Sequence, residues 1–354
     1  MSILSGARWF SRAESKEAAF RQVILPAKEP SMTRPYFIWD YDFSEEKIRE
    51  MLRGDNEYYK TWAVGRILQY ARWDDIWKYL TLDDVRDCFD RIAWRFPFIK
   101  EMWAYALEMW DQDAKTMALR ERPIAYTTIP DREPQLIEGI LTPLQLASLK
   151  QFFANPVGQR FWLTGGTALA AFYLGHRPSE DLDLFTLEPD ALDHARREMQ
   201  DIANTLQCTV TDGLGTPTYQ QFFLAQPDLP PLKLDLVRDF GPQFGQHRAV
   251  GGIIVDSLTN IAANKVTAIF GRTEAKDFVD LYCLLRAGYD LKALIALAKE
   301  KDRGLAEFHL GYSMRQVARF EALPRLFEPI SLEELRAFYL KLADDLLRQV
   351  NPAT

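Results

Sequence analysis

At 354 residues the chain exceeds the usual reach of one hydrophobic core, so two domains are the default expectation. A composition of 47% hydrophobic and 26% charged residues is that of a folded globular protein; it excludes extended disorder, and no apolar run reaches membrane-spanning length. The formal net charge of −7 excludes a broadly basic nucleic-acid-binding body, so any phosphate-binding surface has to be local.

Residues 1–32 carry no strong pattern and are expected to form a short helix or a disordered extension. Met1 to Trp9 lacks the apolar core of a signal segment, which predicts a cytoplasmic location. Seven of the nine tryptophans (Trp39, Trp62, Trp73, Trp77, Trp94, Trp103 and Trp110) fall within residues 33–110, a composition shift that marks a small all-α domain. Ser44 followed by Glu45 and Glu46 predicts one helix start, and Thr81 followed by Asp83 and Asp84 another. Between them Trp62, Ile67, Leu68, Ala71, Ile76 and Leu80 fit helical faces, with residues 72–75 as a junction. A further helix is expected from Lys100 to Trp110, giving a bundle whose tryptophans form a core in preference to a stacking platform. Residues 111–135, with Pro123, Pro130 and Pro134, are expected to be a linker.

The second domain, expected over 136–354, opens with Thr142-Pro143-Leu144-Gln145, a capping box with proline at the first helical position. Phe161-Trp162-Leu163 then reads as a strand feeding the loop Thr164-Gly165-Gly166-Thr167. Glycines there bring backbone N–H groups close to a ligand, Thr167 is expected to cap the following helix, and a helix N-terminus favours anions. In the next strand Asp181 and Asp183 alternate with Leu182 and Leu184, which sets two carboxylates on one face roughly 7 Å apart. At that distance they repel by roughly 2 kcal/mol at intermediate dielectric, a cost that a divalent cation offsets. Oxygen-only ligands suit magnesium. Each feature alone also fits a plain strand-to-helix turn or a strand with solvated acids; the two in this order, one helix apart, point to nucleotidyl transfer.

A helix is expected from about Pro189 to Leu206. Pro231 to Val237 alternates again, placing Lys233 and Asp235 on one face, where Asp235 completes a carboxylate triad if the two strands are neighbours. Ser257 is expected to cap a helix carrying Lys265, which Gly271 ends before a second helix carrying Asp277 and Asp280 on one face. These two acids are candidates for triphosphate contact and for bracing the site. Arg177, Lys233, Lys265, Arg272 and Lys276 all lie in these segments and would make a positive cleft on an acidic body. Helices are then expected over 291–301, 314–319 and from Ser331 to Leu347. Cys88, Cys208 and Cys283 show no metal-ligand spacing, and His176, His194, His247 and His309 are scattered, which argues against a zinc hydrolase.

The run from Leu163 to Phe185, the Lys233-Leu234-Asp235 strand, the Lys265 helix and the Asp277/Asp280 pair, in that order, resemble the AbiEii/AbiGii toxin family of the DNA polymerase beta-like nucleotidyltransferase superfamily. The resemblance covers roughly residues 136–350. It implies an α+β nucleotidyltransferase fold with a mixed sheet and a helical C-terminal region, with NTP and magnesium as co-substrate and metal. It also implies nucleotide addition to RNA, at the 3′ end of transfer RNA, as the toxic reaction. On that pattern Asp181, Asp183 and Asp235 hold metal, while Gly165, Gly166 and Thr167, with Arg177 and Ser179, cradle the nucleotide. Lys265 neutralises the triphosphate, and Asp277 and Asp280 support nucleotide binding. Gly166 stands where many superfamily members have serine, and Thr167 is expected to supply that hydroxyl. Residues 35–42 and 71–80 resemble a small helical domain often encoded upstream of such transferases; fused here, it is expected to act as an antitoxin-like domain in cis or to dock the acceptor. Nucleotidylation of a protein side chain and a non-catalytic interaction role stand as alternatives, the second disfavoured by the intact carboxylate set.

Overall fold

Period-two alternation builds the sheet of this protein, whose computed structural model describes residues 34–116 and 132–352. In β2 (Leu182–Thr186) and β5 (Leu232–Arg238) the leucines at 182, 184, 234 and 236 are fully buried, while Asp183 and Asp235 lie half-buried on the opposite face. The two strands run parallel in the register Asp183 against Asp235. Around them stand β1 (Trp162–Thr164), antiparallel to β2, and β4 (Tyr219–Ala225), antiparallel to β5. β3 (Thr209–Thr216) pairs with β4 at one edge. At the other, β7 (Ile253–Val255) runs parallel to β1 and carries β6 (Arg248–Val250). Among the described residues this is one seven-stranded mixed sheet in the order β3-β4-β5-β2-β1-β7-β6. The chain is therefore an α+β fold preceded by helices, with a helical C-terminal region.

The N-terminal helices are α1 (Glu45–Arg53), α2 (Glu57–Tyr70), α3 (Trp73–Tyr79), α4 (Leu82–Cys88) and α5 (Pro97–Thr116). Ser44 caps α1 and the Thr81–Asp84 capping box opens α4. The expected junction shrinks to Ala71 and Arg72, because Trp73 already starts α3. α5 continues through Thr116, so the first residues of the expected linker are helical. Residues 1–32 and the remainder of the linker up to residue 131 lie outside the described residues. Trp103 and Trp110 are buried, Trp73 and Trp77 partly so, and Trp39 stays about half exposed.

In the second part, α6 (Pro143–Ala154) starts at the Thr142 capping box, and α7 (Gly165–Leu169) follows β1 and passes into a π turn over Ala170–Leu174. The expected helix from Pro189 begins later, as α8 (Ala195–Thr205), after a 3₁₀ turn at Ala191–His194. Next come α9 (Leu258–Gly271), capped by Ser257, α10 (Ala275–Arg286) and α11 (Leu291–Lys301). The helix expected at 314–319 is instead α12 (Glu307–Arg315) with a 3₁₀ turn behind it. Gly311 accounts for the shift: it sits inside α12 where α13 (Leu332–Gln349) passes so closely that an added Cβ would lie 3.1 Å from Leu347 Cγ.

The helical part and the transferase part share a core. Phe308 of α12 and Leu347 of α13 are both fully buried among the N-terminal helices. The Trp73 and Phe308 rings stack at 4.3 Å, and Trp110 Nε1 donates to the Leu347 carbonyl at 2.8 Å. No helix among the described residues is long and apolar enough to cross a membrane.

Candidate active site

The glycine loop folds directly onto the first acidic strand. Gly165 adopts φ +70°, a conformation in which a side chain is strained, and an added Cβ would collide with the Asp183 carboxylate, whose Cγ would be only 3.0 Å away. A Cβ on Gly166 would lie 2.5 Å from Arg177 Nη2 and 3.3 Å from Ser179 Oγ. Only backbone fits here, with the Asp183 carboxylate against Gly165 and the Arg177 guanidinium against Gly166.

Asp183 and Asp235 sit side by side in the parallel register. Lys233 Nζ bridges Asp235 Oδ2 at 3.1 Å and Asp181 Oδ2 at 2.9 Å. Asp181 precedes β2, so the sequence's carboxylate pair becomes one strand residue and one residue of the approach to it. Asp235 Oδ1 accepts from the Tyr219 hydroxyl at 2.9 Å and from Gln221 Nε2 at 3.1 Å. Burial first, and then the charge of Asp235, push the Asp183 carboxyl above the ordinary range. Burial alone would lower Lys233, but its bond to Asp181 and the charge of Asp235 hold it raised and cationic.

Beneath this layer lies a buried ion cluster. Arg177 grips Asp280 with both Nε, 2.6 Å, and Nη2, 2.8 Å, and His176 Nε2 lies 2.7 Å from the same carboxylate. Lys265 Nζ donates to Asp280 Oδ2 at 2.7 Å and to Asp277 Oδ1 at 2.9 Å, and Arg272 Nε reaches Asp277 Oδ2 at 2.8 Å. Burial acts to raise both acids, yet these cations hold Asp277 below and Asp280 well below the ordinary carboxylate range.

Several expectations change here. Asp277 and Asp280 are fully buried and Lys265 is 5% exposed, so in this structure their charges answer one another. Arg177, also buried, holds the loop through Asp280 and its bond to the Pro178 carbonyl. Thr167 does not cap α7; it is fully buried and its hydroxyl donates to the Asp181 carbonyl, which leaves none for a phosphate. Thr164 occupies the cap position instead, with its hydroxyl on the buried Asp256 at 2.6 Å. α7 runs without a break into the π turn, so the loop leads into one helical segment from Gly165 to Leu174. Lys276 turns outward to Glu274. Sequence reading missed Tyr219 and Gln221, although their i, i+2 spacing in the Tyr219-Gln220-Gln221-Phe222 run is itself a strand signal.

Among the described residues no three His, Cys, Asp or Glu side chains gather into one ready metal-binding group, because Lys233 stands between Asp181 and Asp235. The donor chemistry nevertheless fits a hard divalent cation: two adjacent carboxylates, one destabilised as an anion by burial and then by its neighbour, and a glycine cradle that a Cβ would fill.

Comparison with known proteins matches residues 148–352 to the family described as nucleotidyl transferase AbiEii toxin, type IV TA system. The chain is similar to the uncharacterized protein aq_aa25 of Aquifex aeolicus, 29% identical over 216 residues, which are 57% of this chain and 96% of that protein. Among solved structures it is similar to JHP933 from Helicobacter pylori, with 22% identity, a TM-score of 0.40, and coverage of 58% of this chain and 90% of the other. It is also similar to the nucleotidyltransferase toxin MenT4 from Mycobacterium tuberculosis, with 14% identity, a TM-score of 0.38, and coverage of 59% and 85%.

Proposed function

The chain belongs to the nucleotidyl transferase AbiEii toxin family and is a nucleotidyltransferase, and from that premise we propose that it transfers an NMP unit from an NTP to an RNA acceptor, the 3′ end of a transfer RNA. The observation that carries this reading is the Asp183–Asp235 pair, set in parallel register against a glycine cradle with Asp183 destabilised as an anion.

In this reading Asp183 and Asp235, with Asp181 once Lys233 yields it, would hold magnesium. When bound, that ion neutralises charge that builds on the phosphate oxygens during displacement. The backbone of Gly165 and Gly166 cradles the outer phosphates. Arg272, whose side chain is 48% exposed, takes a phosphate-facing role, while the buried Lys265 acts on Asp183 through its charge and holds Asp277 and Asp280. Tyr219 and Gln221 fix the Asp235 carboxylate from its far side. The acceptor hydroxyl oxygen bonds to the α-phosphorus, its proton passes to Asp235, and pyrophosphate leaves with the electrons of the broken bond. The test is incubation of the full chain with each α-labelled NTP, magnesium and total RNA. Label on RNA supports the reading; label on protein alone would replace it with protein nucleotidylation.

The shared core bears on restraint in cis. Trp73, Trp103 and Trp110 enclose Phe308, and α13, which carries Leu347, also bonds to α10 through the Tyr339 hydroxyl on the Phe278 carbonyl, 2.7 Å. We propose that the helical domain limits toxicity through this route, by fixing the helix that carries Asp277 and Asp280. Loosening the seam with Tyr105→Phe and Trp110→Phe, which remove bonds to Asp344 and Leu347, should increase growth inhibition by the full chain. Equal or lower inhibition from a folded variant counts against restraint.

A further inference from the structure

The helical domain carries a second charged feature far in sequence from the carboxylates. A cleft of about 310 Å³ is lined by Arg66, Arg91 and Arg95 together with Tyr58, Trp62 and Tyr70. Two of these cations are answered by acids, Arg66 by Asp40 and Arg91 by Glu57. Arg95 is exposed and has no carboxylate partner among the described residues, so the cleft keeps a surplus positive charge.

Of the aromatic side chains lining this cleft, Tyr70 belongs to the core and Trp62 packs against it, while others face outward. Tyr58 is 74% exposed, and Trp39 and Tyr41, which pack on Tyr70 and Trp62 of the wall, are 49% and 43% exposed. Arg66 is held over the Tyr70 ring at 4.4 Å and the Trp39 ring at 4.7 Å, while Tyr41 meets Trp62 edge-on at 5.0 Å. The exposed Tyr58 ring in one cleft with the exposed Arg91 and Arg95 is what a flexible polyanion with planar bases needs: bases stack on rings and phosphates meet guanidinium groups. An acidic peptide would use the arginines and leave the rings unexplained. A duplex hides its base faces.

We infer that this cleft binds a single-stranded segment of RNA. The inference rests on the proposed RNA acceptor and assigns this one face of the helical domain to holding it, apart from the seam around Phe308 through which the domain restrains the transferase part.

The test uses the full chain and a labelled single-stranded RNA of about a dozen nucleotides, followed by fluorescence polarisation. Tyr58→Ala combined with Arg95→Ala, both exposed and outside the core, should weaken binding about tenfold or more with no change in melting. Arg95→Ala alone should lower the slope of log affinity against log salt by about 0.7, the loss of one phosphate contact. A duplex of equal length should bind more weakly than the single strand. Binding that is unchanged in the double variant, or equal for duplex and single strand, overturns the inference. If residues 1–33 of the chain fill the cleft, wild-type binding will be weak and no weaker in the variant, which also overturns it. Label on RNA combined with variant-insensitive binding sinks this inference and leaves the transfer reading standing. Variant-sensitive binding with label only on protein does the reverse.

Discussion

Asp183 and Asp280 lie in neighbouring layers of one molecule, and their surroundings are opposite. Asp280 is fully buried and saturated: Arg177 binds it with two nitrogens, Lys265 with a third, and His176 stands at 2.7 Å. Its carboxyl is held well below the ordinary range. Among the described residues Asp183 makes no such ion pair: Lys265 and Lys233 act on its charge only through space, and burial together with Asp235 outweighs them, so its carboxyl is pushed up. The difference separates two uses of the same side chain. A carboxylate whose charge is already answered holds the fold together, whereas one kept beside another carboxylate awaits a charge brought by a ligand.

The largest effect that would break this comparison is Asp280→Asn. Removing the acid leaves Arg177 and Lys265 buried with too little negative charge, so unfolding in denaturant should show a loss of about 3–5 kcal/mol. Because the folded pKa of Asp280 is depressed, its contribution is present at neutral pH and lost as pH falls below about 4, the unfolded value. The deficit of the variant should therefore shrink in acid. A variant as stable as wild type at pH 7 would show that the cluster does not hold the fold.

A smaller effect is expected for Gly165→Ala, which forces a side chain into φ +70° and against Asp183. The strain should lower stability by about 1–2 kcal/mol, while the displaced loop lowers transfer by roughly a hundredfold. Transfer falling no further than stability explains would remove the loop from the site. The smallest is Tyr219→Phe, which deletes one bond to Asp235 and should slow transfer by roughly fivefold, about 1 kcal/mol, with little change in the apparent KM for NTP. A rise in KM alone would place Tyr219 in binding and not in fixing Asp235.

Much of this geometry was legible in the chain because it is written with period two. Leu182, Leu184, Leu234 and Leu236 alternate with Asp183, Lys233 and Asp235, so both strands and their polar faces follow from spacing. What spacing does not contain is partnership. The register of Asp183 against Asp235 is non-local, and it depends on β3 and β4 forming a hairpin beside β5, which also delivers Tyr219 and Gln221. Asp277 and Asp280 share a helix face, as their spacing requires, but only packing decides whether that face meets solvent or Lys265. Thr167 likewise turned inward because the chain returns at Asp181 with a carbonyl to satisfy. Trp39 and Trp62 show the converse, since a tryptophan-rich segment expected to be core sends part of its aromatic surface outward.

The most direct measurement sets transfer beside stability in Asp183→Asn, using α-labelled NTP with RNA for the first and thermal unfolding for the second. The variant removes a carboxylate that the fold destabilises, so label transfer should fall by at least about a thousandfold, and the unfolding midpoint at pH 7 should be no lower than that of wild type. Its advantage in stability belongs to pH values above the raised pKa of Asp183 and should vanish below about pH 4. Transfer at the wild-type rate, or a variant that unfolds as readily as Asp280→Asn, would contradict the assignment of Asp183 to chemistry.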